Sequence, residues 1–228
     1  MSVHTELLKR PDGRSLLVIV LINLKGGSTK TTSAAWILAV LHSAGLNVLG
    51  VDTDPENESL INWSELADWP WPVISMPVAN LNKQLPGVIK PDVDVVVIDT
   101  PPMKEQRRIV KSAAKLATHL VCPMAPTSME YDRLPAVLEL VAEVGDEVEQ
   151  APDFSVLLTR TVPNAASTTV YTDLITGQGV RVLNPTISRK ELFAQSYSTP
   201  IFRPEASAYA DVVNDLLNSV DTDDEVSA

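Results

Sequence analysis

The sequence predicts an α/β protein with a doubly wound, mostly parallel β-sheet that is flanked by helices. Short runs of Val, Ile and Leu alternate along the chain with segments of helical character, which is typical of βαβ units. Several of these runs end in turns rich in glycine, threonine or aspartate, at the sheet edge where ligands bind in this class. The 228 residues, 45% hydrophobic and 21% charged, fit one domain with a large core.

The individual elements are predicted from apolar patterning and from end signals such as Gly45. The strands cover Ser15–Asn23, Asn47–Val51, Val73–Met76, Val93–Ile98, His119–Cys122, Phe154–Thr159 and Val180–Leu183. The helices cover Thr31–Ala44, Glu56–Leu66, Asn80–Ile89, Glu105–Ala117, Ser128–Val144, Thr168–Thr176, Lys190–Tyr197 and Glu205–Val220. We expect Pro86 to break its helix, whereas the helix that contains Pro135 is predicted to continue through it.

Residues 1–220 are predicted to form a single domain, and residues 221–228 an acidic flexible tail. The apolar run Ser15–Leu24 is shorter than the ~20 residues that a membrane-spanning helix needs. The single cysteine, Cys122, excludes an internal disulfide and suits a reducing cytosol. The net charge of −11 repels nucleic acid on average, so any DNA contact must come from a local basic patch. We therefore expect a cytoplasmic protein without a membrane anchor.

A phosphate-binding loop is predicted between the first strand and the first helix. Gly26 and Gly27 allow backbone N–H groups to curl around phosphate oxygens, and the helix that follows points its positive end at them. Lys30 adds a cation, and the Thr31 hydroxyl can ligate Mg²⁺. The residues predicted to contact the nucleotide are Lys25, Gly26, Gly27, Ser28, Thr29, Lys30, Thr31 and Thr32.

Aspartates follow the second and the fourth predicted strands. Asp52 and Asp54 follow the second strand, and Asp99 follows four β-branched residues in a pattern typical of a carboxylate that holds Mg²⁺. A structural role for Asp54 is also open, because it can cap the next helix with Pro55 in the first turn. The two roles are compatible.

These motifs resemble those of the ParA/MinD family of ATPases. Lys-Gly-Gly-x-x-Lys-Thr-Thr at 25–32 resembles the family's deviant Walker A motif, and Asp-x-Asp-Pro at 52–55 and Asp-x-Pro-Pro at 99–102 match two further motifs. The run 51–63 is similar to small plasmid partition ATPases of the ParF kind, and the resemblance covers roughly residues 16–220. Thr29 stands where the family usually has Gly, so either the loop is slightly altered or Thr29 keeps an ordinary φ.

The resemblance implies a slow ATPase with ATP and Mg²⁺ as cofactors. Catalytic roles fall to three residues: Lys25 reaches across a homodimer to the partner's ATP, Lys30 contacts the phosphates, and Asp54 positions or activates the attacking water. Asp52 supports the metal region beside Thr31 and Asp99, and Arg160 lies near the nucleotide base. A ParB-type centromere-binding adaptor would stimulate hydrolysis, and the ATP form would associate with the nucleoid.

Two basic groups are candidates for non-specific DNA contact. The first has helical spacing and comprises Arg107, Arg108, Lys111 and Lys115; the second comprises Arg181, Arg189, Lys190 and Arg203. Arg189 and Lys190 follow the last predicted strand, at a position where proteins of the resembled family carry DNA-contacting residues, so the resemblance favours Arg189, Lys190 and Arg203 as the stronger candidates.

Three other functions are alternatives to a partition ATPase. A membrane-surface ATPase like MinD would carry a basic amphipathic end, whereas this sequence ends in acidic residues that anionic lipid repels. A metabolic P-loop enzyme, such as a ligase that activates a carboxylate, is opposed only by the Lys25 motif and the Asp-x-Asp-Pro match. An iron-protein reductase needs several cluster cysteines, whereas this sequence has only Cys122. A ParA-like positioner of another cargo would share all the chemistry.

Overall fold

The computed structural model describes residues 16–218. Its sheet has the order β3-β2-β4-β1-β5-β6-β7, with β8 also paired to β6, and every pair is parallel. The strands are β1 Leu17–Leu21, β2 Val48–Asp52, β3 Val73–Ser75, β4 Val95–Asp99, β5 His119–Met124, β6 Asp153–Thr161, β7 Arg181–Val182 and β8 Ile187–Ser188. The predicted parallel sheet is confirmed, and the seven predicted strands agree with β1–β7 to within two residues at each described end.

Helices cover both faces of this sheet, which confirms the doubly wound architecture. They are α1 Lys30–Ser43, α2 Ser59–Leu66, α3 Leu81–Gln84, α4 Met103–Ala114, α5 Ser128–Tyr131, α6 Leu134–Glu147, α7 Ala166–Thr176, α8 Glu191–Ala194 and α9 Ala208–Leu217. One core lies between the sheet and α3, α4, α6 and α7. The other lies between the sheet and α1, α2, α8 and α9.

The central strands are apolar at consecutive positions because each face of the sheet has its own core. In β1, Val18 and Val20 pack into the first core, and Ile19 and Leu21 pack into the second. β4 divides its side chains between the two cores in the same way. Burial on both faces fixes the ends of β1 and β4. The phosphate-binding loop follows β1, and Asp99 is the last residue of β4.

The structure corrects several helix predictions, and in two cases a proline is involved. The predicted helix Ser128–Val144 is two helices, because Pro135 lies in the first turn of α6, where a missing N–H costs nothing. The segment predicted as Asn80–Ile89 is the short helix α3 followed by a 3₁₀ turn at Leu85–Gly87, so the break precedes Pro86.

The ends of the described part also refine the prediction. The last predicted helix begins at Ala208 rather than Glu205, because a 3₁₀ turn at Pro204–Ala206 precedes it. The predicted tail at 221–228 lies outside the described residues. Between residues 16 and 218, no helix combines the length and apolar character needed to cross a bilayer.

Candidate nucleotide-binding site

The carboxyl ends of three neighbouring strands bring the predicted motifs together. β4 lies between β1 and β2 in parallel register, so Asp99 has Leu21 on one side and Asp52 on the other. A cavity of about 490 Å³ opens where the phosphate-binding loop, α1 and the loops after β2 and β4 meet. It is lined by Gly26, Gly27, Ser28, Thr29, Lys30, Thr31, Thr32, Asp54, Asn57, Ser59, Thr100 and Pro102.

The backbone of the phosphate-binding loop turns sharply before α1 begins. Gly27 has a φ of 72°, a left-handed conformation that glycine adopts without steric cost. Thr29 also takes a left-handed conformation, with a φ of 68°. Of the two alternatives left open by the sequence, the one in which Thr29 keeps an ordinary φ is therefore wrong. The first turn of α1 lines the cavity, and the free N–H groups of a helix N-terminus favour an anion there.

The two lysines of the loop have different surroundings. The Lys30 side chain is buried, and its Nζ donates a hydrogen bond to the Lys25 carbonyl oxygen at 3.2 Å. Burial lowers the pKa of Lys30, although the Asp99 carboxylate opposes this effect. Lys25 is exposed beside the cavity. An exposed lysine at this position is free to contact a group outside its own chain.

Asp99 is a buried carboxylate with one oxygen engaged and one without a hydrogen-bond partner. Its Oδ2 accepts a hydrogen bond from Thr31 Oγ1 at 2.6 Å, whereas its buried Oδ1 has no protein partner among the described residues. Burial, followed by the neighbouring Asp52 charge, raises the pKa of Asp99 to about 7. A cation would offset the cost of burying the ionised carboxylate and would give Oδ1 a partner, so Thr31 and Asp99 fit a magnesium site.

No group of three or more His, Cys, Asp or Glu side chains that could hold a metal occurs among residues 16–218. Mg²⁺ in nucleotide sites is commonly held by one or two protein ligands together with water and phosphate oxygens. The pair Thr31 and Asp99 agrees with that sparse coordination.

Asp52 and Asp54 have separate structural roles, and the predicted helix start at Glu56 is wrong. Both Asp52 oxygens accept backbone N–H bonds, Oδ1 from Asp54 at 3.0 Å and Oδ2 from Leu60 at 2.8 Å and Ile61 at 3.2 Å. Asp52 therefore satisfies the N-terminus of α2, and the alternative in which Asp54 caps this helix is also wrong. Burial raises the pKa of Asp52.

Asp54 stabilises the turn that precedes α2. Its Oδ1 accepts the N–H groups of Glu56 at 3.0 Å and Asn57 at 3.3 Å, and its Oδ2 accepts a bond from the Asn57 side chain at 3.0 Å. The turn delays the helix to Ser59. Asp54 is one of the residues that line the 490 Å³ cavity, so its carboxylate lies beside the phosphate-binding loop.

A second cavity, of about 630 Å³, adjoins the phosphate-binding loop on the side of β6 and β8. It shares Thr29 and Thr32 with the first cavity, and Arg160 lines it as well. Arg160 has a φ of 54°, and its guanidinium lies 3.7 Å from Glu130 Oε1. The two cavities together can hold an elongated ligand whose phosphates occupy the first.

Sequence analysis missed two polar residues at this edge of the sheet. Glu130 lines the second cavity, and its Oε2 is buried without a hydrogen-bond partner among the described residues. The sequence signal for Glu130 was the Thr-x-x-Glu pattern at 127–130, which is typical of a helix N-terminus. In the structure Thr127 Oγ1 accepts the Glu130 N–H at 3.4 Å. Asn23 supports the loop from below, because its Nδ2 donates to the Pro123 carbonyl at 2.7 Å and its Oδ1 accepts the Lys25 N–H at 3.3 Å.

The first basic group is largely neutralised. Arg107 and Lys111 form ion pairs with Glu143 on α6, and Lys111 and Lys115 form ion pairs with Glu147. These cations are therefore poor candidates for DNA contact.

The second basic group divides in two. Arg181 is held by Asp215, donating to its carbonyl oxygen at 2.6 Å. Arg189 and Lys190 line the second cavity, and neither forms an ion pair with another residue of the described chain. The Arg203 side chain is 83% exposed and lies 3.8 Å from Glu205.

The fold and the site define a P-loop nucleotide-binding protein. A profile of the CobQ/CobB/MinD/ParA nucleotide binding domain matches residues 19–200, and the chain belongs to this family. The resemblance to ParA and MinD proteins is thereby confirmed.

Similar proteins include partition proteins and a metabolic enzyme. Protein ParA of Rhizobium radiobacter is 25% identical over 182 residues, which cover 78% of this chain and 80% of that protein. Cobyrinic acid a,c-diamide synthase of Mycobacterium smegmatis, with a bound ATP analogue and magnesium, has a TM-score of 0.72 at 21% identity and covers 91% of this chain and 96% of its own. A plasmid partition protein of Borrelia burgdorferi B31 bound to AMPPNP has a TM-score of 0.66 at 18% identity, with coverages of 90% and 99%.

The buried Asp99 carboxylate makes a prediction about pH-dependent stability. The folded, metal-free protein retains the Asp99 proton up to about pH 7, whereas an ordinary aspartate loses it near 3.8. Raising the pH between these values therefore destabilises the wild type. Asp99→Asn removes this penalty, so we expect the variant to melt about 10 °C above wild type at pH 8 in EDTA. The difference in melting temperature should become smaller towards pH 5.

Thermal unfolding followed by circular dichroism tests this expectation. Asp92→Asn, at an exposed position, is the matched control and should melt like wild type at every pH. An Asp99→Asn variant that melts below wild type at pH 8 would show that the carboxylate stabilises the metal-free fold, contrary to the argument from burial.

Proposed function

We propose that this protein is an ATPase that segregates DNA. Mg-ATP closes a homodimer that binds DNA non-specifically, and a ParB-type centromere-binding adaptor stimulates hydrolysis and returns the dimer to monomers. The observation that best supports this proposal is the exposed Lys25 at the start of a phosphate-binding loop whose other residues line a cavity beside Asp99. The similarity to proteins named ParA and plasmid partition protein supports the biological role.

In this proposal the phosphate-binding loop holds the nucleotide through its backbone and through Lys30. The N–H groups of the loop and the first turn of α1 face the phosphates, and Lys30 neutralises their charge. Thr31 and Asp99 hold Mg²⁺, which when bound offsets the negative charge that develops on the phosphate oxygens during hydrolysis. Asp99 Oδ1, which has no hydrogen-bond partner within residues 16–218, supports this role. Further support comes from two structurally similar proteins, one solved with an ATP analogue and magnesium and the other with AMPPNP.

Asp54 positions the attacking water, since its carboxylate borders the cavity next to the loop. Asp52 serves the metal region indirectly: both of its oxygens accept backbone N–H bonds, and its negative charge raises the pKa of the neighbouring Asp99 carboxyl. Arg160 lies on the base side of the nucleotide, in the second cavity.

The dimer is the ATP-bound state of a switch. Within residues 16–218, the hydrogen bonds of Lys25 all involve its backbone, so its ammonium can contact the partner's ATP across the dimer interface. The equilibrium moves towards the dimer because the γ-phosphate interacts with groups of both protomers. Turnover is slow, because the switch must persist while DNA is held.

DNA binding falls to Arg189, Lys190 and Arg203, through phosphate contacts that carry no sequence information. The overall charge of −11 opposes this binding, so it depends on the ATP form bringing two such groups together. The ATP form then associates with the nucleoid.

Replacing Asp54 separates hydrolysis from nucleotide binding. We expect Asp54→Ala to lower the ATP hydrolysis rate by about 100-fold, because a group that positions or activates water contributes a factor of this size. ATP binding should persist, since Lys30 and Asp99 are intact, and the variant should accumulate in the ATP state. Phosphate release and nucleotide binding are the two measurements.

The control for Asp54 preserves the turn. Asp54→Asn retains the Oδ1 acceptor of the Glu56 and Asn57 N–H groups, and a flip of the Asn57 side-chain amide lets its oxygen accept a bond from the new NH2 group. A loss of hydrolysis in this variant therefore reflects chemistry rather than loop geometry. Unchanged hydrolysis in both variants would refute the catalytic role.

The DNA surface can be tested by charge removal. We expect the Arg189→Ala/Lys190→Ala double variant to bind a random-sequence duplex more weakly in Mg-ATP. The salt slope of binding should fall by about 1 for each phosphate that the variant no longer neutralises. Fluorescence anisotropy at several salt concentrations gives both quantities.

Lys111→Ala is the matched control for the DNA surface, since its ammonium is already bound by Glu143 and Glu147. It should bind DNA like wild type. If the double variant binds DNA with wild-type affinity and salt slope, these residues do not form the DNA surface. If ATP hydrolysis instead requires a small carboxylate substrate and does not respond to DNA, the protein is better described as a ligase.

A further inference from the structure

Thr29 holds a backbone conformation that its side chain disfavours. Its φ is 68° and its ψ is 17°, in the left-handed region, where a β-branched residue is a genuine outlier. The residue lies directly before α1, at the end of the phosphate-binding loop. Such a conformation persists only where surrounding contacts enforce it. The contacts of Thr29 therefore indicate what holds this loop in shape.

The Thr29 hydroxyl is bonded in two directions. Its Oγ1 donates to the Ser28 carbonyl oxygen at 2.5 Å and to Thr159 Oγ1 at 3.0 Å, sharing one proton between two acceptors. Thr159 is 1% exposed, near the end of β6, and 130 residues separate it from Thr29 in sequence. Within residues 16–218, this is the only hydrogen bond of the Thr159 side chain.

The bond lies between the two cavities of the site. Thr29 lines both cavities, and Thr159 lines the second. The residue after Thr159 is Arg160, whose own φ of 54° is also left-handed. Thr29 is thus linked by one half-buried hydroxyl pair to Thr159, the chain neighbour of Arg160, so the pair connects two backbone positions in left-handed conformations.

We propose that Thr159 is a positioning residue for the phosphate-binding loop: its hydroxyl holds Thr29 in the left-handed conformation and so keeps the loop in the shape that binds phosphate. The inference rests on the proposed nucleotide-binding function. Because the same bond fixes the loop to β6, it also sets the distance between the phosphate cavity and the Arg160 cavity. A nucleotide that spans both cavities then meets a site that is already arranged for it.

The proposal predicts which hydroxyl variants lose affinity. Thr159→Val keeps the buried volume and removes the bond, so we expect the dissociation constant for Mg-ADP to rise about fivefold, the effect of one hydrogen bond. Thr159→Ser keeps the hydroxyl and should stay within about twofold of wild type. Isothermal titration calorimetry with Mg-ADP measures each constant without the complication of an ATP dimer.

Thr168→Val is the matched control. Its hydroxyl is buried on α7 without a hydrogen-bond partner among the described residues, so its loss should leave Mg-ADP affinity unchanged. Thr29→Ala removes the same bond from the loop side and should weaken binding as Thr159→Val does. This variant keeps the proposal testable if Thr159→Val fails to fold, which circular dichroism reveals.

A double-mutant cycle separates positioning from a general structural effect. Glycine adopts the left-handed conformation without a hydroxyl to hold it. In the Thr29→Gly background, Thr159→Val should therefore cause no further loss of Mg-ADP affinity. If Thr159 had a purely structural role, Thr159→Val would lower the melting temperature in both backgrounds. The dissociation constant for Mg-ADP would then be the same with and without Thr159→Val in each background.

Two outcomes would overturn the inference alone. One is wild-type Mg-ADP affinity in Thr159→Val, and the other is an equal loss of affinity from Thr159→Val in the wild-type and Thr29→Gly backgrounds. A wild-type protein that binds neither Mg-ADP nor Mg-ATP would instead overturn the proposed function, and the inference with it.

Discussion

The site depends on one buried carboxylate, Asp99, which the fold places where three elements meet. Its Oδ2 is bonded to Thr31 at the start of α1, and its carbonyl oxygen accepts both the N–H and the hydroxyl of Thr53 after β2. The start of α1 and the end of β2 are thus joined to β4 around one residue that is 2% exposed. An ionised carboxylate in such surroundings is unfavourable unless a cation accompanies it. The fold tolerates that cost at the position where a metal-bound phosphate would relieve it.

Two apolar cores make this arrangement rigid. β1 and β4 are packed on both faces, so the strand ends that carry the phosphate-binding loop and Asp99 have little freedom to move. The loop is tied further to its neighbours, because the Asn23 and Leu24 carbonyls accept the N–H groups of Met103 and Lys104 at the start of α4. The first turn of α4 follows Asp99 closely in sequence. The start of α4 is thus bonded to the residues that lead into the phosphate-binding loop, and α4 is in turn ion-paired with α6.

Much of the fold and of the site could be predicted from the sequence because the signals are local. β1 and β4 appear as unbroken β-branched runs, and the loop at 25–32 is defined by its own glycines, lysines and threonines. Some helix boundaries were misplaced at prolines and 3₁₀ turns, whereas the errors at the site arise from contacts with residues further away in the sequence. The start of α2 is set by Asp52, which caps the helix from eight residues upstream, and the conformation of Thr29 is held by Thr159 on a distant strand. Glu130 and β8 border a cavity that exists only after β6 and α8 come together.

In the proposed switch, ATP joins two copies of this chain through Lys25, and the mass of the protein in solution reveals whether this happens. Light scattering should give the 24.7 kDa protomer without nucleotide and in Mg-ADP, and about twice that mass in Mg-ATP. Lys25→Ala should bind ATP yet remain a monomer, while Lys83→Ala, at an exposed position away from the loop, should dimerise like wild type. If the mass is the same with and without Mg-ATP, or if Lys25→Ala dimerises like wild type, the ATP-dependent dimer through Lys25 is contradicted.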